Sequence, residues 1–195
     1  KKTINQLGYG SKFSHSNETS SPGYYQVFLE DYNINVELTT SIRSGIHKYT
    51  FNSKDSANLI LDLKHRDKLL KYKINIIDSL TISGFRYSSE WAREQRIYFI
   101  IKLSHPFKKY ILNDEENSLG LSFGKIEEAL ITKVAISSVD SLGALENLKE
   151  IKDLNFNQCL NNAEKSWENQ LKKIDINTKS EKKKEIFYSA LYHSF

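Results

Sequence analysis

The chain has 195 residues, of which 39% are hydrophobic, 27% charged and only 2 proline, a composition that excludes disordered and collagen-like classes. Its net charge of +4 is a small difference between 28 basic and 24 acidic residues interleaved along the sequence, so a broad field that gathers nucleic acid is not expected. No run approaches the ~18 apolar residues of a membrane span, and a chain of this length can bury roughly 70% of its unfolded surface around one main core.

The opening residues Lys1-Lys2-Thr3-Ile4-Asn5-Gln6 lead into glycines and polar residues rather than an apolar stretch, so they do not read as a signal peptide. The sequence contains no methionine, which predicts a chain processed or excised from something longer. From Gly23 to about Val139 the apolar residues mostly recur with period two, as strands that bury one face require. Residues 24–30 and 34–39 predict a hairpin, because Asp31-Tyr32-Asn33 between them tolerate turn conformations. Further strands are predicted at 46–51, 58–63, 72–77, 81–87, 96–103, 119–123 and 129–137. Many short strands with no helical pattern between them predict a mainly β fold, an antiparallel β-sandwich.

After Asp140 the period becomes helical. Residues 141–151 predict a short helix, and Phe156, Cys159, Leu160, Ala163, Trp167, Leu171 and Ile174 then form one stripe behind a start signal at Asn155 and Gln158. Thr178 with Glu181 predicts the start of a last helix, whose stripe of Ile186, Phe187, Ala190, Leu191 and Phe195 is still running at the final residue. That pattern predicts that the sequence continues beyond Phe195. The expected organisation is a partial N-terminal segment (1–22), a β-sandwich (23–139), linker helices (140–177) and the first helix of a further domain (178–195). Cys159 on its apolar stripe reads as a small buried hydrophobe, and Lys182-Lys183-Lys184 as the solvated face of the last helix.

Polar chemistry concentrates in residues 83–95, where Arg86, Glu90, Trp91, Arg93, Glu94 and Gln95 lie between two apolar runs. An indole that covers the C–H face of a sugar, beside guanidinium and amide groups that bond its hydroxyl rim, would recognise a glycan. The competing reading is a solvated loop in which Trp91 is core and Arg86 pairs with a nearby carboxylate. Elsewhere the signals are weaker. His15, His47, His65, His105 and His193 lack the close spacing of a zinc site, so no metal ligands are assigned. His65-Arg66-Asp67 mimics a kinase catalytic loop, but Tyr72 stands where its metal-binding Asn belongs. No Gly-x-Ser-x-Gly turn or Walker loop is present, and no catalytic residue is assigned in this chain. Asn17-Glu18-Thr19 is a glycosylation sequon of a kind that occurs often by chance.

Several stretches in order carry a family resemblance. They are Phe13-Ser14-His15 with Glu18, Pro22-Gly23-Tyr24-Tyr25, Val36-Glu37-Leu38-Thr39, Gly45-Ile46-His47-Lys48-Tyr49-Thr50-Phe51, and Ile60-Leu61-Asp62-Leu63 with His65-Arg66-Asp67. Ser83-Gly84-Phe85-Arg86 with Trp91-Ala92 and Gln95, Val134-Ala135-Ile136-Ser137, and Phe187-Tyr188-Ser189-Ala190-Leu191-Tyr192-His193 complete the series. Together they resemble glycoside hydrolase family 92, the exo-acting, calcium-dependent α-mannosidases. The resemblance implies an N-terminal β-sandwich, linker helices and the first turns of an α/α catalytic toroid. It further implies a secreted or periplasmic enzyme that hydrolyses terminal α-mannosides with inversion. Its glutamic acid, aspartic base and main calcium ligands are then expected beyond Phe195, and its early glycine-rich and Trp-containing motifs upstream of Lys1. Arg86, Trp91 and Gln95 become candidates for one wall of the sugar pocket. By itself the chain is expected to be inactive, without a cofactor of its own, and to partner the missing catalytic domain. The alternative is an autonomous β-sandwich carbohydrate-binding module.

Overall fold

The computed structural model describes residues 8–52 and 55–195; residues 1–7 of the expected N-terminal segment lie outside them. A 3-10 turn at His15–Asn17 leads into β1 (Glu18–Ser21), β2 (Tyr24–Leu29), β3 (Ile34–Thr40) and β4 (Ser44–Thr50). Then come β5 (Ala57–Asp62), β6 (Lys68–Asp78), β7 (Thr81–Ser89), β8 (Gln95–Leu103), β9 (Lys109–Asn113), β10 (Ser118–Gly124) and β11 (Leu130–Ser137). Helices α1 (Ser141–Leu148), α2 (Phe156–Leu171) and α3 (Glu181–Tyr192) follow. Among the described residues every strand pairing is antiparallel. Eight strands form a sheet in the order β1-β2-β3-β4-β11-β8-β7-β6, and β5-β10-β9 form a second sheet of three.

The small sheet covers one face of the large sheet and the helices cover part of the other. On β8, Phe99, Ile101 and Leu103 point into the core shared with Ile82, Leu119, Leu121, Phe123 and Leu130. Ile100, on the opposite face, joins Ile46 and Ala135 beneath Ala144, Leu148, Phe156 and Cys159. Burial on both faces is why Phe99-Ile100-Ile101 runs apolar without a break, whereas strands covered on one side alternate. Each fully buried large side chain, such as Phe123 or Leu119, contributes about 1.5–3 kcal/mol relative to leaving it exposed.

Two strands were not expected. β9 is exposed along its whole length because it is the outer edge of the small sheet, so it shows no burial alternation. β1 is a short polar strand that, among the described residues, pairs with β2 alone. The helix expected over 141–151 ends at Leu148. Asp140 caps its start by accepting from the Gly143 amide at 2.6 Å, and Ile151 is buried in the turn beyond it. The α2 start signal is a full capping box, Asn155 with Gln158. At α3 the cap is Ser180 rather than Thr178, whose hydroxyl instead accepts from the Ser180 amide at 3.2 Å.

Gly23, in the turn between β1 and β2, has φ +84°, and a Cβ there would lie 2.8 Å from the Ala163 Cβ. The turn therefore meets α2 at backbone distance, and Tyr24 packs edge-on against Phe156 with ring centroids 6.4 Å apart. On the buried face of α2 lies Cys159, a free thiol whose pKa is pushed up by that burial.

Candidate functional site

The chemistry-rich stretch is the β7–β8 hairpin, and the sheet pleat divides its side chains among separate surfaces. Arg86 is opposite Ile97 and Ser88 opposite Gln95. Arg86 lies on the face that meets the small sheet. Its Nε donates to the Leu63 carbonyl at 2.7 Å, and its Nη2 donates to the Asp67 carboxylate at 2.6 Å and the Asp67 carbonyl at 3.3 Å. Arg86 thus clasps the loop that carries the chain from β5 in one sheet to β6 in the other.

The same loop is held from its other end. Asp62 accepts from the amides of Lys64 at 2.8 Å and His65 at 3.1 Å, while the Tyr9 hydroxyl donates to its second oxygen. Burial, reinforced by that carboxylate, pushes the Tyr9 phenol up to about 12. The Arg86 hydrogen bond, with help from Ser88, brings the Asp67 carboxyl down to about 2. His65-Arg66-Asp67 is therefore a structural crossover, and the positive φ of Arg66, +84°, marks its tight turn.

Trp91 occupies the hairpin tip and is 97% exposed. This overturns the reading in which Trp91 belongs to the core: it stands in the turn between β7 and β8, and the described residues leave it uncovered. The other half of that reading, an Arg86 paired with a carboxylate, is what the structure shows. Gln95, the first residue of β8, is exposed on the same face as Arg86. The structure therefore places Arg86 and Gln95 as diagonal neighbours and Trp91 apart at the tip; the three do not converge on one pocket.

On the opposite face the hairpin carries a feature that the sequence reading did not single out. Phe85, Tyr87 and Tyr98 form a contiguous strip, with ring centroids 4.8 Å apart for Phe85–Tyr87, 6.0 Å for Phe85–Tyr98 and 5.9 Å for Tyr87–Tyr98. The Tyr87 and Tyr98 hydroxyls share a 2.5 Å hydrogen bond. Lys71 stands over Phe85 and Arg96 over Tyr87, each within cation–π range at 5.8 and 5.3 Å. The signal lay in the alternation Phe85, Tyr87 and Arg96, Tyr98, which puts all four on one pleat face.

The model of the glycosyl hydrolase family 92 N-terminal domain matches residues 1–146. The chain belongs to glycosyl hydrolase family 92. The family's catalytic-domain model matches residues 143–195, so the two meet inside α1. Solved family 92 structures share the fold. The α-mannosidase BT3965 from Bacteroides thetaiotaomicron is 29% identical over 94% of this chain and 27% of its own, with a TM-score of 0.82. The same enzyme in complex with mannoimidazole gives a TM-score of 0.83. The family 92 glycosyl hydrolase ccman5 is 21% identical over 96% of this chain and 29% of its own, with a TM-score of 0.84, a likeness of fold. Among curated protein sequences none matches. The chain spans about 27% of the length of the solved mannosidase it resembles.

The family resemblance implies calcium. Among the described residues no group of three or more His, Cys, Asp or Glu side chains could hold a metal ion.

Proposed function

We propose that this chain is the non-catalytic N-terminal domain of an α-mannosidase, contributing one wall of the sugar pocket and the packing surface for an α/α catalytic domain. The family matches and the 29% likeness to a solved α-mannosidase support this reading. The observation that carries it at residue level is Trp91, a whole indole held out at the tip of the β7–β8 hairpin. A flat apolar ring with no cover in its own domain is suited to a sugar face or to a neighbouring domain.

In this reading the complete enzyme is secreted or periplasmic, depends on calcium, and cleaves terminal α-mannosides with inversion. Inversion needs two carboxyl groups about 6.5–9.5 Å apart with a water between them. Both carboxyls and the calcium ligands belong to the catalytic domain. This chain's part is to hold Trp91 and Gln95 on a stiff support, with Arg86 as a positioning residue that fixes the crossover loop behind them.

The test is Trp91→Ala in the complete enzyme. A fall in kcat/KM on α-mannosides of about tenfold, the equivalent of one lost aromatic contact, with unchanged Tm is the expected result. Unchanged kcat/KM removes Trp91 from the pocket wall. The isolated chain supplied with calcium is expected to show no turnover, and robust turnover sinks the proposal.

The strip of Phe85, Tyr87 and Tyr98 favours a second reading, an autonomous carbohydrate-binding module. Titration of the isolated chain with mannose oligosaccharides separates the two: saturable binding abolished by Tyr87→Ala supports the module.

A further inference from the structure

The connection between α1 and α2 leaves a groove of about 1320 Å³ over the ends of β4, β8 and β11. Its apolar lining includes Ile131, Leu148, Leu154 and Phe156. Lys48, Lys102, Lys133, Lys149 and Lys152 surround that lining, against only Glu146 and Asp153.

Two of these cations sit where a sheet does not favour them. Lys102 and Lys133 are direct cross-strand partners on one face of the β8–β11 pair, and like charges placed so are destabilising. Lys102 donates to the Thr81 hydroxyl at 2.5 Å, and the half-buried Lys133 donates to the Lys152 carbonyl at 2.7 Å. Burial lowers the Lys133 pKa, with Asp153 opposing the shift. Lys48 and Lys149 have carboxylate partners, Glu37 at 2.8 Å and Glu146 at 2.7 Å. Among the described residues no ion pair involves Lys102, Lys133 or Lys152. The first turn of α2 also opens into the groove, adding the positive end of its dipole.

We infer that this groove docks an acidic segment bearing apolar side chains, contributed by the catalytic domain of the same enzyme. Carboxylates of that segment meet Lys102, Lys133 and Lys152, and its apolar side chains meet Ile131, Leu154 and Phe156. The inference rests on the proposed function for the source of the segment, and on charge complementarity for its chemistry. Position agrees: one wall is α1, where the N-terminal and catalytic family models overlap. A small free anion would leave the apolar lining uncovered.

Lys102→Glu tests it by the difference between its effects in two proteins. In the 195-residue chain the substitution relieves the like-charge pair with Lys133 but gives up the Thr81 bond and faces Asp78, so Tm moves little. In the complete enzyme the new carboxylate faces the acidic segment, so Tm falls, and added salt shrinks the loss. Lys152→Glu, at an exposed position, is expected to leave the chain unchanged and to lower Tm in the complete enzyme. Equal shifts in both proteins overturn the inference, as does a loss in the complete enzyme that salt leaves untouched. Retention of the isolated chain on phosphatidylserine vesicles, abolished by Lys102→Glu while the two proteins shift equally in Tm, assigns the groove to a membrane and also overturns it. A complete enzyme inactive on α-mannosides sinks the functional proposal but leaves this comparison intact.

Discussion

The centre of the large sheet and the last helix are both amphipathic or apolar in sequence, yet they end in opposite states. β8 and β11 are covered on both faces, by the small sheet on one side and by α1 and α2 on the other. α3 buries none of its residues: Ile186 is 60% exposed and Phe195, just beyond the helix, 65%, although Trp167 makes ring contacts with Tyr192 and Phe195. Periodicity reveals which face of an element is apolar; it does not reveal whether anything covers that face. The strands complete their core within this chain, whereas the α3 stripe is only partly covered, with Phe187 and Leu191 half-buried and Ile186 exposed.

Substitutions that probe the two regions should differ sharply. The largest effect is expected at Gly84, directly opposite Phe99, where a Cβ would come within 2.1 Å of the Lys73 carbonyl oxygen and 2.6 Å of the Phe99 ring. Gly84→Ala must displace backbone in the doubly covered region, at a cost of about 3 kcal/mol in urea unfolding. A loss below ~1 kcal/mol, within the range of an ordinary surface change, would mean that this core yields more readily than its packing implies.

The inter-sheet clasp gives an intermediate effect with a pH dependence. Asp67→Asn should cost about 2 kcal/mol at neutral pH, the scale of a charge-assisted hydrogen bond. Because the folded carboxyl lies at about 2 against an ordinary 3.8, its contribution is complete above the ordinary value and is lost as pH falls toward about 2. Wild type and Asp67→Asn should therefore converge in stability across that interval; a gap that persists to its lower end would show that Asp67 acts through packing instead. The smallest effect is expected for Ile186→Ser, within about 0.5 kcal/mol in the isolated chain. A larger loss would show that α3 is packed more tightly than its exposure indicates.

How much the sequence revealed follows the same division. The β2–β3 hairpin was legible because Asp31-Tyr32-Asn33 can turn the chain, and Asn33 does adopt φ +52°. The helices were legible from period and caps, with Ser180 displacing Thr178 because two start signals lie two residues apart. β9 was not, since Tyr110-Ile111-Leu112 lie on an exposed edge where nothing selects for alternation. At the candidate site the residue types were visible but their partners were not. Only the fold brings Leu63 and Asp67 beneath Arg86, and only the fold leaves Trp91 uncovered in its turn. The strip of Phe85, Tyr87 and Tyr98 could have been read from spacing alone, but which face remains open depends on where α1 and α2 come to rest.

Cys159 gives this architecture a means of being timed. It is the sequence's single cysteine, and it sits 1% exposed on the inner face of α2 with its thiol held in the unreactive protonated form by burial. Labelling by a thiol reagent must wait for α2 to lift from β3 and β4, so the labelling rate counts those openings one molecule at a time. The protein thus contains a native stopwatch for the attachment between its sheet and its helices.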